Sequence, residues 1–281
     1  MHHVGLVVVL LASISSVWAQ SLPSTSSSAV GPTFEVALIK PNKSGATNGS
    51  AGPQPGGRWV MVNAPVARLI RAAYPGPTSQ VIGAPAWVNS DRYDIAAKAE
   101  GEVTVGQMEA MLRALLADRF KLVVRVESRE QEVYALALAR TDRRLGPELR
   151  LATLDCAQFV ELRPASGSNL PPRANGAPPC GLSADGRKLY SGGLTMAQLA
   201  RNISSAAGRV VIDKTGLNGY YEFTLEYAAR PNNVAGLPDD PGDNRPSLFT
   251  ALQEQLGLKL ESQRAPVDVL VIERIERPTE D

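Results

Sequence analysis

Histidine is almost missing: the chain of 281 residues has 2, His2 and His3. Both fall in a segment that reads as a targeting signal, residues 1–19 of MHHVGLVVVLLASISSVWAQ, with an apolar run from Val4 to Leu11 and a small-x-small-like site at Val17-Trp18-Ala19. Removal of that segment leaves a mature chain with no imidazole. That excludes Ser-His-Asp and Cys-His nucleophiles, His-ligated zinc and the two-His metalloprotease helix. Carboxylate catalysis or a Ser-Lys pair stays open. The leading residues are His rather than Lys or Arg, so an uncleaved anchor is the alternative to cleavage.

Other scarcities narrow the field further. Aromatics make up 5% of the chain, too few for base-stacking platforms. With 29 basic and 28 acidic residues, no excess of one sign points to nucleic acid or an acidic membrane partner. The apolar run of the leader is short for a bilayer span and no other stretch competes, so no membrane span is expected after signal removal. Cysteine occurs at Cys156 and Cys180 only. A pair is too few for a thiolate zinc site, and in an oxidising compartment it favours a disulfide, which would stabilise by roughly 3 kcal/mol on the chain-entropy model. We expect it to staple a Pro/Gly-rich connector, residues 141–185.

What is present is patterned secondary structure. A Ser/Pro tether, residues 20–33, precedes the alternating strand FEVALIK and the loop PNKSGATNGSAGPQPGG. Two blocks then follow in one order. The first, within residues 34–140, runs from strand GRWVMV through helix APVARLIRAAY, strands QVIGAPAWV and RYDIAAKA and helix TVGQMEAMLRALLADRF to strands KLVVRVES and EVYALALA. The second, residues 186–278, runs from GRKLYSGG through a helix opened by a Thr195/Gln198 capping box and closed on Gly208. It continues with RVVID, YYEFTLEY, helix SLFTALQEQLG and strands LKLESQ and VDVLVIERI. Leu69 aligns with Leu199, Tyr93-Asp94-Ile95 with Tyr221-Glu222-Phe223, and Val133-Tyr134-Ala135-Leu136 with Val269-Leu270-Val271-Ile272. The predicted fold is α+β: two pattern-related β-α-β-β-α-β-β units, each with helices packed on a mixed sheet.

The tetrapeptide Asp213-Lys214-Thr215-Gly216 raises a chemical question, because ion-pumping ATPases present their phosphorylated aspartate in such a run. The pumps also need a nucleotide-binding domain, a downstream Mg²⁺-binding acidic motif and several membrane helices, and this sequence has none of them. Asp and Thr at a strand end bond neighbouring backbone, and Gly216 and Gly219 permit positive φ, so the residues read as a turn. Other candidates also have plain readings. Trp87 beside Asp91 and Arg92 is a stacking residue or a lid over the sheet edge. DDPGDN, residues 239–244, lacks the downstream Glu of a calcium loop. RVESREQE reads as an exposed face or guarded edge, and Asn48 and Asn202 fit glycosylation acceptors. Asp94 and Glu222 hold equivalent block positions and would serve glycoside hydrolysis only if they faced one cleft. No cofactor or metal is expected.

The segments FEVALIKPN, SDRYDIAAKAEG, MLRALLADRFKLVVRVESREQEVYALALA, PCG, VVIDKTGLNGYYEFTLEY and SLFTALQEQLGLKLESQRAPVDVLVIERIERP occur in order from Phe34 to Pro278. Together they resemble an exported protein family expanded in soil Acidobacteria and catalogued as a domain of unknown function. The resemblance implies a secreted or periplasmic location and no established enzymatic activity. Some members look fused to a membrane sensor peptidase of the β-lactam-receptor type, which implies sensing or partner binding; this chain has no such segment. The repeated unit is also similar, at fold level, to the small N-terminal domains of secretins and TonB-dependent receptors. The expectation is therefore an exported, non-catalytic binding or interaction module, its partner another envelope protein or an unknown ligand. The alternative is a His-free hydrolase. Trp87, Arg92, Asp94, Asp213 and Lys214 are the candidate binding residues.

Overall fold

The computed structural model describes residues 31–76, 80–157, 159, 165, 178–184, 188–228 and 244–279. The leader, all but the last residues of the tether, most of the connector between the cysteines, and DDPGDN apart from Asn244 lie outside them. In chain order the elements are β1 (Val36–Pro41), β2 (Ser50–Gln54), β3 (Arg58–Pro65), α1 (Val66–Ala73), β4 (Val81–Ile82), α2 (Trp87–Ser90), β5 (Arg92–Lys98), α3 (Val105–Arg119) and β6 (Val123–Leu138). There follow β7 (Leu149–Leu151), β8 (Gly181–Ala184), β9 (Lys188–Leu194), α4 (Met196–Ala207), β10 (Val211–Asp213), β11 (Tyr221–Glu226), α5 (Leu248–Ala251) with a π-helical turn over Leu252–Leu256, and β12 (Leu258–Arg274).

The class is α+β, as the patterning predicts, but the sheets divide differently. The described residues form three four-stranded sheets, ordered β1-β5-β3-β2, β10-β6-β12-β4 and β7-β11-β9-β8. The first and third are antiparallel throughout, and only the central sheet is mixed, because β10 runs parallel to β6 and β4 parallel to β12. KLVVRVES and EVYALALA are one strand, β6, and LKLESQ and VDVLVIERI are one strand, β12. The two pair antiparallel from Leu138 opposite Leu258 to Val123 opposite Arg274, and this continuous ladder is what fuses each expected pair. Pro266 lacks an N–H, yet β12 tolerates it because only β6 flanks that stretch and the missing donor can face the open side.

QVIGAPAWV also departs from expectation. Only Val81–Ile82 is a strand; Gly83 turns at φ 76, and after Pro85 the chain forms α2. β2, β7 and β8 are strands that patterning did not announce: β2 lies in the Gly/Pro loop, β7 and β8 within residues 141–185.

The helix termini follow their sequences. Thr104 with Gln107, and Thr195 with Gln198, form reciprocal capping boxes, and Gly208 closes α4 at φ 74. Ser247 accepts the Thr250 N–H to start α5. One core lies between the first sheet and α1 and α3, where Met61, Leu69, Ile95, Leu112, Leu116 and Phe120 are nearly inaccessible. A second joins the third sheet to α4 and α5 through Leu199, Ile203, Phe223, Leu225 and Leu252. A third, small one holds Val133, Val210, Ala265 and Val267. Each such side chain contributes roughly 1.5–3 kcal/mol by leaving water.

Candidate functional site

Asp213 ends β10, and its Oδ1 accepts from the Thr215 N–H at 2.9 Å and the Thr215 hydroxyl at 2.8 Å. The Thr215 hydroxyl in turn accepts from Leu217 N–H at 3.1 Å. Gly216 follows at φ 65 and Gly219 at φ 94, so the tetrapeptide is an Asx turn carrying the chain from β10 to β11. The Lys214 N–H donates to the Leu136 carbonyl and its side chain is exposed.

Asp94 sits at the heart of a polar network on β5. Its carboxylate accepts from Asn42 Nδ2 at 2.8 and 3.0 Å and from the Asn63 N–H at 2.8 Å. Arg92 Nη1 donates to the Asn63 carbonyl at 2.7 Å. Asn63 therefore joins Asp94 to Arg92. It lies at a bulge in β3 with φ 48, 3% exposed, and its Nδ2 donates to the Ala46 and Asn48 carbonyls at 2.7 Å each. Its Oδ1 is buried without a hydrogen-bond partner. Sequence reasoning missed Asn63; the available signal was a residue type tolerant of positive φ at the end of a strand pattern.

Trp87 opens α2, half-buried against the first core. The Arg277 guanidinium lies 5.1 Å from its ring centroid and bonds Asp91 Oδ2 at 2.9 Å, so that face of the ring is already covered. Glu222, the block partner of Asp94, lies on β11 in the third sheet and pairs with Arg150 at 3.0 Å. The two carboxylates thus sit in different sheets, each with its own partner. Cys156 and Cys180 are disulfide-bonded and buried. Gly192 and Gly193 of β9 pass directly beneath, since a Cβ at the first would strike the Pro178 carbonyl and at the second Cys156 Sγ.

A groove of about 260 Å³ is lined by Thr33, Phe34, Ala37, Ala114, Leu115, Asp118 and Arg119, between β1 and α3. None of the five candidate binding residues lines it. Burial raises the pKa of Glu109 on α3, with Arg113 opposing, and also raises those of Tyr74 and Tyr227. Among the described residues no cluster of three or more His, Cys, Asp or Glu is placed to hold a metal ion, and no helix is long and apolar enough to cross a membrane.

The outward sides of the two antiparallel sheets differ. On the first, Val36 is 60%, Leu38 40% and Val62 47% exposed. On the third, Lys188 pairs with Glu226 and Arg150 with Glu222 across neighbouring strands.

Fold and surfaces together define a disulfide-linked α+β protein with two antiparallel sheets flanking a long central ribbon. The chain belongs to the family described as Protein of unknown function (DUF3738), which matches residues 67–275. No curated protein and no solved structure matches it.

Proposed function

We propose that the mature chain is an exported, non-catalytic binding module of the cell envelope, made of two copies of one α+β unit, with another envelope component as its ligand. The contrast between the outward sheet faces carries this reading: one presents uncovered aliphatic side chains, the other a charge-paired polar surface. The carboxylates that a His-free hydrolase would need are bonded within turns and strands, Asp94 to Asn42 and Asn63, Asp213 to Thr215. The buried disulfide suits an oxidising compartment.

Duplication is supported by topology. Adding six to each strand of the order β1-β5-β3-β2 gives β7-β11-β9-β8. Val81–Ile82 lies beside Leu270–Val271 as Val211–Ile212 lies beside Tyr134–Ala135, so each copy lends its short strand to the other's long one. The bulge opposite Ile95 and Tyr93 recurs opposite Phe223 and Tyr221. On this reading β7 and β8 belong to the second copy, which begins ahead of Leu149 rather than near residue 186.

A photo-crosslinking residue placed at Leu38 or Val62, in cells exporting the protein, tests the binding reading. Adducts at both positions are expected, and none at Thr224, which holds on the third sheet's outward side the place that Ala96 holds between Leu38 and Val60 on the first. No adduct at Leu38 or Val62 would overturn it.

A further inference from the structure

The exposed face of the first sheet carries aliphatic side chains with cations toward both ends. Leu38 lies beside Ala96, and Ala96 beside Val60, across three adjacent strands. Val36 continues that side of β1 and Val62 that of β3. Lys98 stands opposite both Val36 and Arg58, and Lys40 lies two residues past Leu38. Lys40, Lys98 and Arg58 are exposed, and among the described residues none is ion-paired; Arg58 Nε donates to the Pro55 carbonyl. Asp94, opposite Lys40, is the carboxylate within these strands on this side, and it is bonded to Asn42 and Asn63. Glu35 and Glu100 lie beyond the strand ends.

Building on the binding reading above, we propose that this face seats on an anionic membrane surface, with lipid headgroups meeting Lys40, Lys98 and Arg58 while Val36, Leu38 and Val62 enter the interfacial layer. Charge complementarity sets the sign of the partner. Size sets its class: from strand spacing and rise, the aliphatic patch covers roughly 200 Å². A stable protein interface needs about 800 Å² per partner, whereas an interfacial contact needs only a few inserted side chains and several cations, each contributing about fivefold in affinity. The geometry also fits, because the strands bond laterally and the face offers side chains rather than unpaired backbone to the lipid.

Co-sedimentation of the oxidised mature protein with phosphatidylcholine vesicles, with and without phosphatidylglycerol, tests the proposal. Binding is expected only to the anionic vesicles and should weaken with added salt. Lys40→Glu with Lys98→Glu should reduce it at least about twenty-five-fold, at about fivefold for each cation lost. Leu38→Asn with Val62→Asn should also reduce it, while the variant still melts in one cooperative transition because both side chains lie on the outward face and outside the cores. Leu151→Asn, at the exposed Leu151 of the third sheet, should bind as wild type. Absence of binding, equal binding to neutral vesicles, or full binding by the face variants would overturn it. If the protein ignores vesicles but Leu38 crosslinks to another protein, the lipid assignment falls and the binding reading stands. Self-association lost in Leu38→Asn would instead make a second copy the occupant and remove the lipid proposal.

Discussion

Replacing Asn63 should be among the costlier single changes outside the hydrophobic cores. Its side chain holds the loop between β1 and β2 through the carbonyls of Ala46 and Asn48, and its backbone sits at φ 48. Asn63→Ala deletes two hydrogen bonds at about 1 kcal/mol each and places a Cβ without polar compensation in the left-handed region, about 1 kcal/mol more. The total is about 3 kcal/mol. Asn63→Gly loses the same bonds but none of the backbone ease, so about 2 kcal/mol is expected. Asn63→Asp keeps the shape yet points a carboxylate at two carbonyl oxygens, in a network that already contains Asp94, and should cost the most at neutral pH. Urea midpoints at constant m-value give the order, and amide exchange over residues 44–49 should accelerate in all three variants. An alanine variant within about 0.5 kcal/mol of wild type, or an aspartate variant as mild as glycine, would refute this account of the loop.

Three further outcomes follow from other sites. Asp213→Asn should cost under about 1 kcal/mol and Asp213→Ala about 1 kcal/mol or more, while Gly216→Val should cost more again because Gly216 lies at φ 65; denaturant melts that rank Asn with Ala would refute the turn. Thiol labelling of the denatured, unreduced protein should find none free, and replacing both Cys156 and Cys180 by Ala should lower stability by roughly 3 kcal/mol in urea melts. Asp142, held down to about 2 by the Arg140 side chain and then the Arg144 N–H, should titrate near that value by carboxyl-carbon NMR, and Arg140→Ala should raise the midpoint toward 3.8. The sign follows from linkage: with its folded pKa depressed, any stabilisation from Asp142 is present above the ordinary carboxylate range and fades as pH falls through about 2.

How much of this was legible depends on where the information lies. The capping box at Thr195, the Gly208 stop and the α+β class are local and periodic, and were readable; the box at Thr104 is equally local, but the sequence reading did not name it. The turn at Asp213 was readable for the same reason, since the side-chain bonds of Asp213 and Thr215 stay within two residues. β2, whose sequence is SAGPQ, has no strand propensity of its own and exists because β3 offers it an edge. The fusion of KLVVRVES with EVYALALA depends on a partner more than a hundred residues away. Asn63 was hidden because its role combines an unusual φ with contacts to a loop 15 to 17 positions back. The outward aliphatic face was hidden for a different reason: alternation in FEVALIK shows that two sides exist, but only the sheet order shows that one stays uncovered.

On the duplication proposed above, one architectural problem takes two solutions. Each outer sheet joins its two edge strands by a loop that must be fastened near the bulge of the third strand. Between β1 and β2 the loop is short, and Asn63, at the bulge, ties it with side-chain hydrogen bonds while Gly49 packs on the Asn63 carbonyl. Between β7 and β8 it runs from Ala152 to Cys180, and the matching bulge position is Gly193, over which the Cys156–Cys180 disulfide lies. Closing the longer loop costs about 1 kcal/mol more on the logarithmic scaling. That difference would offset about half of what two neutral hydrogen bonds supply, whereas a disulfide shifts the closure cost onto the unfolded chain. The cysteine pair and the single asparagine are thus alternative fasteners at one structural position, which is why Asn63 and Gly193 should each resist substitution although no chemistry is assigned to either.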